Sequence, residues 1–143
     1  MEKGELTLKK PNYRELSSLA LAYIGDAVYE VMVRQHLLNT GIAKVQFLHK
    51  ESTKFVSAKS QSRFIHALMD ELTEEEKDIV RRGRNTKSHT TAKNASVNEY
   101  RYSTAFECLI GYLYLTNQQE RLEWVFEQIV LLGRSSEYED NKL

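Results

Sequence analysis

The sequence predicts an all-α fold, and three observations carry that prediction. A single proline, Pro11, and six glycines scattered one at a time leave almost none of the turn punctuation that strands require. Apolar residues recur at helical rather than alternating spacing. A capping-box pattern, Thr73 to Glu76, marks a helix start.

The elements follow in order. Residues 16–38 carry Leu21, Ile24, Val28, Val31, Met32 and Leu38 at helical spacing, with Gly41 as the stop, which predicts one long helix. Residues 43–54, with Val45, Phe47 and Leu48, predict a short helix, and Val56, Phe64, Ile65, Leu68, Met69 and Leu72 mark another over 57–72. The capping box opens a further short helix, 74–82. Residues 83–97 are polar and aperiodic and read as an exposed loop, of a length that is often functional. Tyr102, Ser103 and Thr104 introduce a helix over 105–115 that is apolar on nearly every face and therefore central. An amphipathic helix over 120–132, with Leu122, Val125, Phe126, Ile129 and Val130, precedes a ten-residue tail expected to fray.

At 143 residues the chain predicts one domain, spanning 1–143 with its core at about 17–133. Apolar residues make up 41% and charged residues 28%, a globular rather than disordered or fibrous balance. Twenty basic and twenty acidic residues cancel, so any electrostatic function must come from local segregation of charge. The apolar runs are too short to span a bilayer, the N-terminal segment lacks the apolar core of a signal peptide, and Cys108 has no partner for an internal disulfide. The expectation is a soluble cytoplasmic protein with no membrane partner.

Two carboxylates stand out. Asp26 lies in LALAYIGDAVYE and Glu107 in STAFECLIGYLYL, each among residues suited to a core. A buried ionised carboxylate is costly unless paired, hydrogen-bonded or bound to metal. Hard oxygen donors left partly open to water suit Mg2+, which can activate water against a phosphodiester. The alternative is structural: a salt bridge for each acid, for example with Arg34 or Arg101, or a place on a solvated stripe. Glu30, four residues after Asp26, can share its face or simply be solvated. From Lys77 to Arg101 there are seven bases against two acids, whereas from Glu120 to Leu143 six acids face three bases. The basic segment is interleaved with Asn, Ser, Thr and His, the donors that meet phosphates and ribose hydroxyls. Lys50, Lys54, Lys59 and Arg63 could form a second basic surface. His66 and Asp70 read as an ordinary surface pair, and Cys108 as a small buried apolar residue.

The two acidic helices together resemble those of the ribonuclease III endonuclease family. In that family the first acid follows a Gly within a hydrophobic helix, as Asp26 follows Gly25, and a second acidic helix carries the partner, as Glu107 does 81 residues on. The resemblance runs from about Ser17 to Gly133, through HKESTKFVSAKSQ and RRGRNTKSHTT, and is closest to the Mini-III branch, built from the catalytic domain alone. Ten residues after Gly133 leave no room for the usual double-stranded RNA-binding domain of about 70 residues. The resemblance implies an all-helical homodimer that hydrolyses double-stranded RNA with Mg2+, leaving 5'-phosphate and 3'-hydroxyl ends. For the Mini-III branch it implies precursor 23S ribosomal RNA as substrate, partly assembled with a large-subunit ribosomal protein. It also implies Asp26 and Glu107 as catalytic residues and metal ligands. Two of the family's four acids are missing, because Ala22 and Thr104 stand in their places, a reduction shared by the Mini-III branch.

Arg82, Arg84, Lys87 and Lys93 are the candidate phosphate contacts that would stand in for the missing RNA-binding domain. The rival expectation is a non-catalytic RNA-binding module of the same fold, acting in ribosome assembly.

Overall fold

The structure is a computed structural model that describes residues 7–86 and 96–142, with the side chains of the last helix described as far as Arg134. Among the described residues it is all helical: α1 Ser18–Asn39, α2 Val45–Val56, α3 Ala58–Leu68, α4 Glu74–Arg84, α5 Val97–Leu115 and α6 Gln119–Lys142. Short 3-10 turns lie at Tyr13–Glu15 and Met69–Glu71.

Local chemistry sets most of these boundaries. Ser17, Ser57, Thr73 and Ser96 each accept a hydrogen bond from a first-turn backbone N–H of the helix that follows. Thr73 and Ser96 complete full capping boxes with Glu76 and Glu99. Gly41, just past α1, has φ of 93°, a left-handed conformation that glycine adopts without strain.

Several boundaries differ from the sequence reading. The Ser96 capping box starts α5 eight residues before the apolar run at 105, and α4 continues through Gly83 to Arg84. The expected loop is therefore shorter, and its centre, residues 87–95, lies outside the described residues. The single helix expected over 57–72 breaks after Leu68 into the 3-10 turn. In place of a frayed tail, α6 runs on to Lys142, since nothing after Leu132 terminates it: Gly133 sits inside the helix and no proline follows.

α5 is the axis of the molecule. Phe106, Cys108, Leu109, Ile110, Leu113 and their neighbours are buried around most of its circumference, and α1, α3 and α4 all pack on it. Glycines decide how closely they approach. A Cβ on Gly25 would run into the Glu107 carbonyl oxygen and stand 2.8 Å from the Gly111 backbone nitrogen, and one on Gly111 would run into the Leu21 carbonyl oxygen. A Cβ on Gly83 would stand 2.9 Å from both the Ala105 Cα and the Cys108 Sγ. The small-residue side of α1 accordingly faces the core, burying Leu21, Ala22, Gly25, Tyr29, Val33 and Leu37. The expected stripe is displaced: Ile24, Val28 and Met32 are half-buried, while Val31 and Leu38 are 62% and 59% exposed.

Polar ties complete the frame. The Tyr29 hydroxyl donates to the Phe55 carbonyl at 2.8 Å, joining α1 to the end of α2. Glu76, 2% exposed, accepts from the Thr73 N–H and from two nitrogens of Arg121, which brace α4 against α6. Burial works to raise the Glu76 carboxyl pKa, but the bonds from Arg121 and Thr73 outweigh it and hold the group below its usual range.

Because backbone atoms rather than flexible side chains meet Gly25, Gly25→Ala must push α1 and α5 apart. The expected cost is about 3 kcal/mol, measurable by urea unfolding, the upper end of ordinary overpacking.

Candidate active site

Asp26 follows Gly25 on α1, and Glu107 contributes its carbonyl to the surface against which Gly25 packs. The crossing that buries Gly25 therefore brings the two acids together from positions 81 apart in sequence. The Glu107 side chain is hydrogen-bonded to that of Asp26. Their burial is unequal. Glu107 is half-buried at the base of the site, whereas Asp26 is exposed, not in the core as its apolar neighbours suggested, because Gly25 rather than Asp26 turns toward α5.

Burial, the hydrogen bond to Asp26, and the charges of Asp26 and Glu30 push the Glu107 carboxyl up to about 9, in decreasing order of effect. At neutral pH Glu107 thus holds a proton and donates it toward Asp26. Neither acid forms an ion pair among the described residues; Arg34 instead pairs with Glu30, its Nε 3.3 Å from the Glu30 Oε2, and Arg101 is exposed. The structural alternative of a salt bridge for each acid is therefore not what these residues form.

The donor set fits a hard divalent cation. Two carboxyl groups converge with one side open to water, and a proton now offsets the repulsion that a cation would offset more strongly. Among the described residues no group of three or more His, Cys, Asp or Glu side chains is arranged to hold a metal. Mg2+ commonly uses one or two carboxylates and completes its shell with water and phosphate oxygens, so two donors suffice for a weakly held ion.

The basic candidates lie at the end of α4. Arg82 is exposed and pairs with Asp78 at 3.1 Å, and Asp78 also pairs with Arg81. Arg84 is half-buried, its Nε donating to the Asn85 side-chain oxygen at 3.2 Å. Gly83, between them, fixes this end of α4 to α5 at Ala105 and Cys108, the helical turn that carries Glu107. Lys87 and Lys93 lie outside the described residues. Two features escaped the sequence reading: the double pairing of Asp78 and the reach of Glu30 toward Glu107. The i, i+3 and i, i+4 spacing of Asp78 to Arg81 and Arg82 was the available signal for the first; the second needed α5 in place.

The remaining chemistry is structural. Cys108 is fully buried, its Sγ lies 3.1 Å from the Ser18 carbonyl, and burial with the nearby Glu107 pushes its thiol up to about 12, which makes it a poor nucleophile. His66 donates from Nδ1 to the Ser62 carbonyl at 2.7 Å and packs against Tyr102. On α2, Lys54 is tied to Glu51 at 3.1 Å.

A helical bundle whose two central helices cross through glycine and join one acid from each is the arrangement of a ribonuclease III catalytic domain. Residues 19–118 match the family described as "Ribonuclease III domain". The chain is 52% identical over 114 residues to a Mini-ribonuclease 3 of Enterococcus faecalis, covering 78% of this chain and 86% of that protein. It is 50% identical over 127 residues to a Mini-ribonuclease 3 of a Thermoanaerobacter species, covering 89% of each. A crystal structure of a Fusobacterium nucleatum protein matches with a TM-score of 0.77 at 35% identity, over 85% of this chain and 96% of that one. The chain belongs to the ribonuclease III family, in its Mini-ribonuclease 3 branch, and is an endoribonuclease of a family that acts on double-stranded RNA.

The pairing of acids has a cost to stability. Because the Glu107 pKa is raised in the fold from an ordinary 4.5 to about 9, the group opposes folding increasingly as pH climbs from 4.5 toward 9. Glu107→Gln should remove that penalty and, in EDTA, raise stability at pH 8 by about 1–2 kcal/mol, with a smaller gain at pH 5. Thermal melts across that range provide the check.

Proposed function

We propose that the protein is a Mg2+-dependent endoribonuclease that cuts double-stranded RNA, with precursor 23S ribosomal RNA as its substrate. It acts in the cytoplasm as a homodimer of catalytic domains. A large-subunit ribosomal protein assembled on the precursor is part of what it meets. The observation that carries the reading is the contact between Asp26 and Glu107, two carboxyl groups held together at a rigid helix crossing with one side open. The ribosomal substrate follows from the similarity to Mini-ribonuclease 3. Among the described residues no helix is long and apolar enough to cross a membrane.

Asp26 and Glu107 would hold the ion, which supplies a Lewis acid at the scissile phosphate and a more acidic water. To serve as a ligand Glu107 would have to be deprotonated, whereas Asp26 is already exposed on the open side. The fixed backbone around Gly25 and Gly111 keeps both groups in place, so little reorganisation is needed when charge develops on the phosphate. Arg82 and Arg84, with Lys87 and Lys93, hold the phosphate backbone across the shallow minor groove. An RNA phosphate then competes with Asp78 for Arg82.

Tyr23, Val31 and Leu38, 84%, 62% and 59% exposed on α1, offer an apolar face for a second copy. Two sites related by a two-fold axis match the approximate two-fold symmetry of an RNA duplex and would cut both strands.

Asp26→Asn should abolish cutting of a long duplex in Mg2+ while retaining RNA binding, as EDTA should for the unchanged protein. Binding without metal-dependent cutting by the unchanged protein, on precursor RNA with ribosomal protein present, would favour the assembly module instead. Arg82→Gln combined with Arg84→Gln should lower the slope of log affinity against log salt by about one to two units, read from filter binding. Sedimentation equilibrium should give twice the chain mass, with Val31→Asp shifting the protein toward monomer.

A further inference from the structure

Two of the four acids expected of the family are replaced here by residues that point into the core. Ala22 is 6% exposed and packs on the α5 side of α1; Thr104 is 7% exposed, its hydroxyl donating to the Tyr100 carbonyl at 3.1 Å. Neither position presents an oxygen to the open side of the site. α1 carries another carboxylate one turn beyond Asp26 on the same helix face, Glu30. Its side chain is 33% exposed and close enough to Glu107, on the neighbouring helix, for its charge to act on that carboxyl. One turn further stands Arg34, 69% exposed, with its Nε 3.3 Å from the Glu30 Oε2. Asp26, Glu30 and Arg34 thus form a row at successive i, i+4 steps along the edge of the site.

We propose that Glu30 is a positioning residue of the cutting site, a third carboxylate that strengthens the hold of Asp26 and Glu107 on Mg2+, and that Arg34 is the counter-ion that limits this effect. The inference rests on reading Asp26 and Glu107 as the cation-binding pair. Helical spacing supplies the mechanism. A negative charge one turn from Asp26 on the same helix face lies within Coulombic reach of a doubly charged ion held by Asp26 and Glu107. A guanidinium on Glu30 cancels part of that attraction. An exposed i, i+4 pair adds little to helix stability, so fold maintenance is a weak reason for the arrangement. The carboxylate lost one turn before Asp26 is in this way replaced by one a turn after it, without placing a charge in the core.

The test is calorimetric titration of MgCl2 into the RNA-free protein, accompanied by the Mg2+ concentration giving half-maximal cutting of a long duplex. Glu30→Gln should weaken Mg2+ affinity about three- to tenfold and shift the midpoint of cutting upward in step, with Glu30→Asp recovering part of the loss. Arg34→Gln should move affinity the opposite way, tightening it about two- to threefold. A purely structural Glu30–Arg34 pair would give neither shift, and far-ultraviolet circular dichroism with thermal melts establishes that each variant is folded. Unchanged Mg2+ affinity in folded Glu30→Gln overturns the inference, as does weaker affinity in Arg34→Gln. If the unchanged protein binds Mg2+ and Asp26→Asn abolishes binding, such a result removes only the role of Glu30. If the unchanged protein binds no Mg2+, the assignment of the pair falls as well.

Discussion

The crossing of α1 over α5 is the constraint on which everything else depends. Gly25 and Gly111 let the two backbones touch where any side chain would collide with a carbonyl or an amide of the other helix. Contact of backbone with backbone is stiff, because atoms in main-chain hydrogen bonds cannot swing aside as side chains do. The crossing therefore fixes more than a distance: it fixes the rotation of each helix, and with it the direction of the residue next to each contact. Asp26 leaves α1 beside Gly25, Glu107 leaves α5 at the carbonyl Gly25 touches, and the acids meet with no flexible loop between them. Gly83 repeats the device on the other side of α5, carrying the basic end of α4 to the same turn.

Electrostatics then divides the labour. A chain of zero formal charge keeps its acids paired at the crossing and places arginines at the close of α4, where they also suit the helix dipole. Burial first, and the pairing with Asp26 after it, hold a proton on Glu107 against its ordinary tendency, a strain that the surrounding packing can bear because it comes from more than twenty buried apolar residues around α5. Other charges are spent on structure. Glu76, as buried as any charged group among the described residues, is fully matched by Arg121 and its own capping box, and its carboxyl is held below the ordinary range rather than above it. Two carboxylates in one small domain thus differ in sign of shift for a physical reason: one faces a guanidinium, the other a second acid.

The sequence on its own determined the helical class, the order of the helices, the capping box at Thr73, the stop at Gly41, the centrality of the 105–115 segment, and the identity of the two acids as the unusual residues. Those properties are local: hydrophobic period, capping chemistry and an acid set among apolar neighbours can all be read within a few turns. Only the tertiary structure decided that the small-residue side of α1 faces the core, leaving Val31 and Leu38 on the surface, because that choice depends on what α5 offers in return. It also decided that Asp26 is exposed while Glu107 is half-buried, and that the charge of Glu30 acts on Glu107 while Arg34 pairs with Glu30. Burial and pairing are properties of two helices at once, and a sequence read one helix at a time contains neither the crossing nor the field that one carboxylate exerts on another across it.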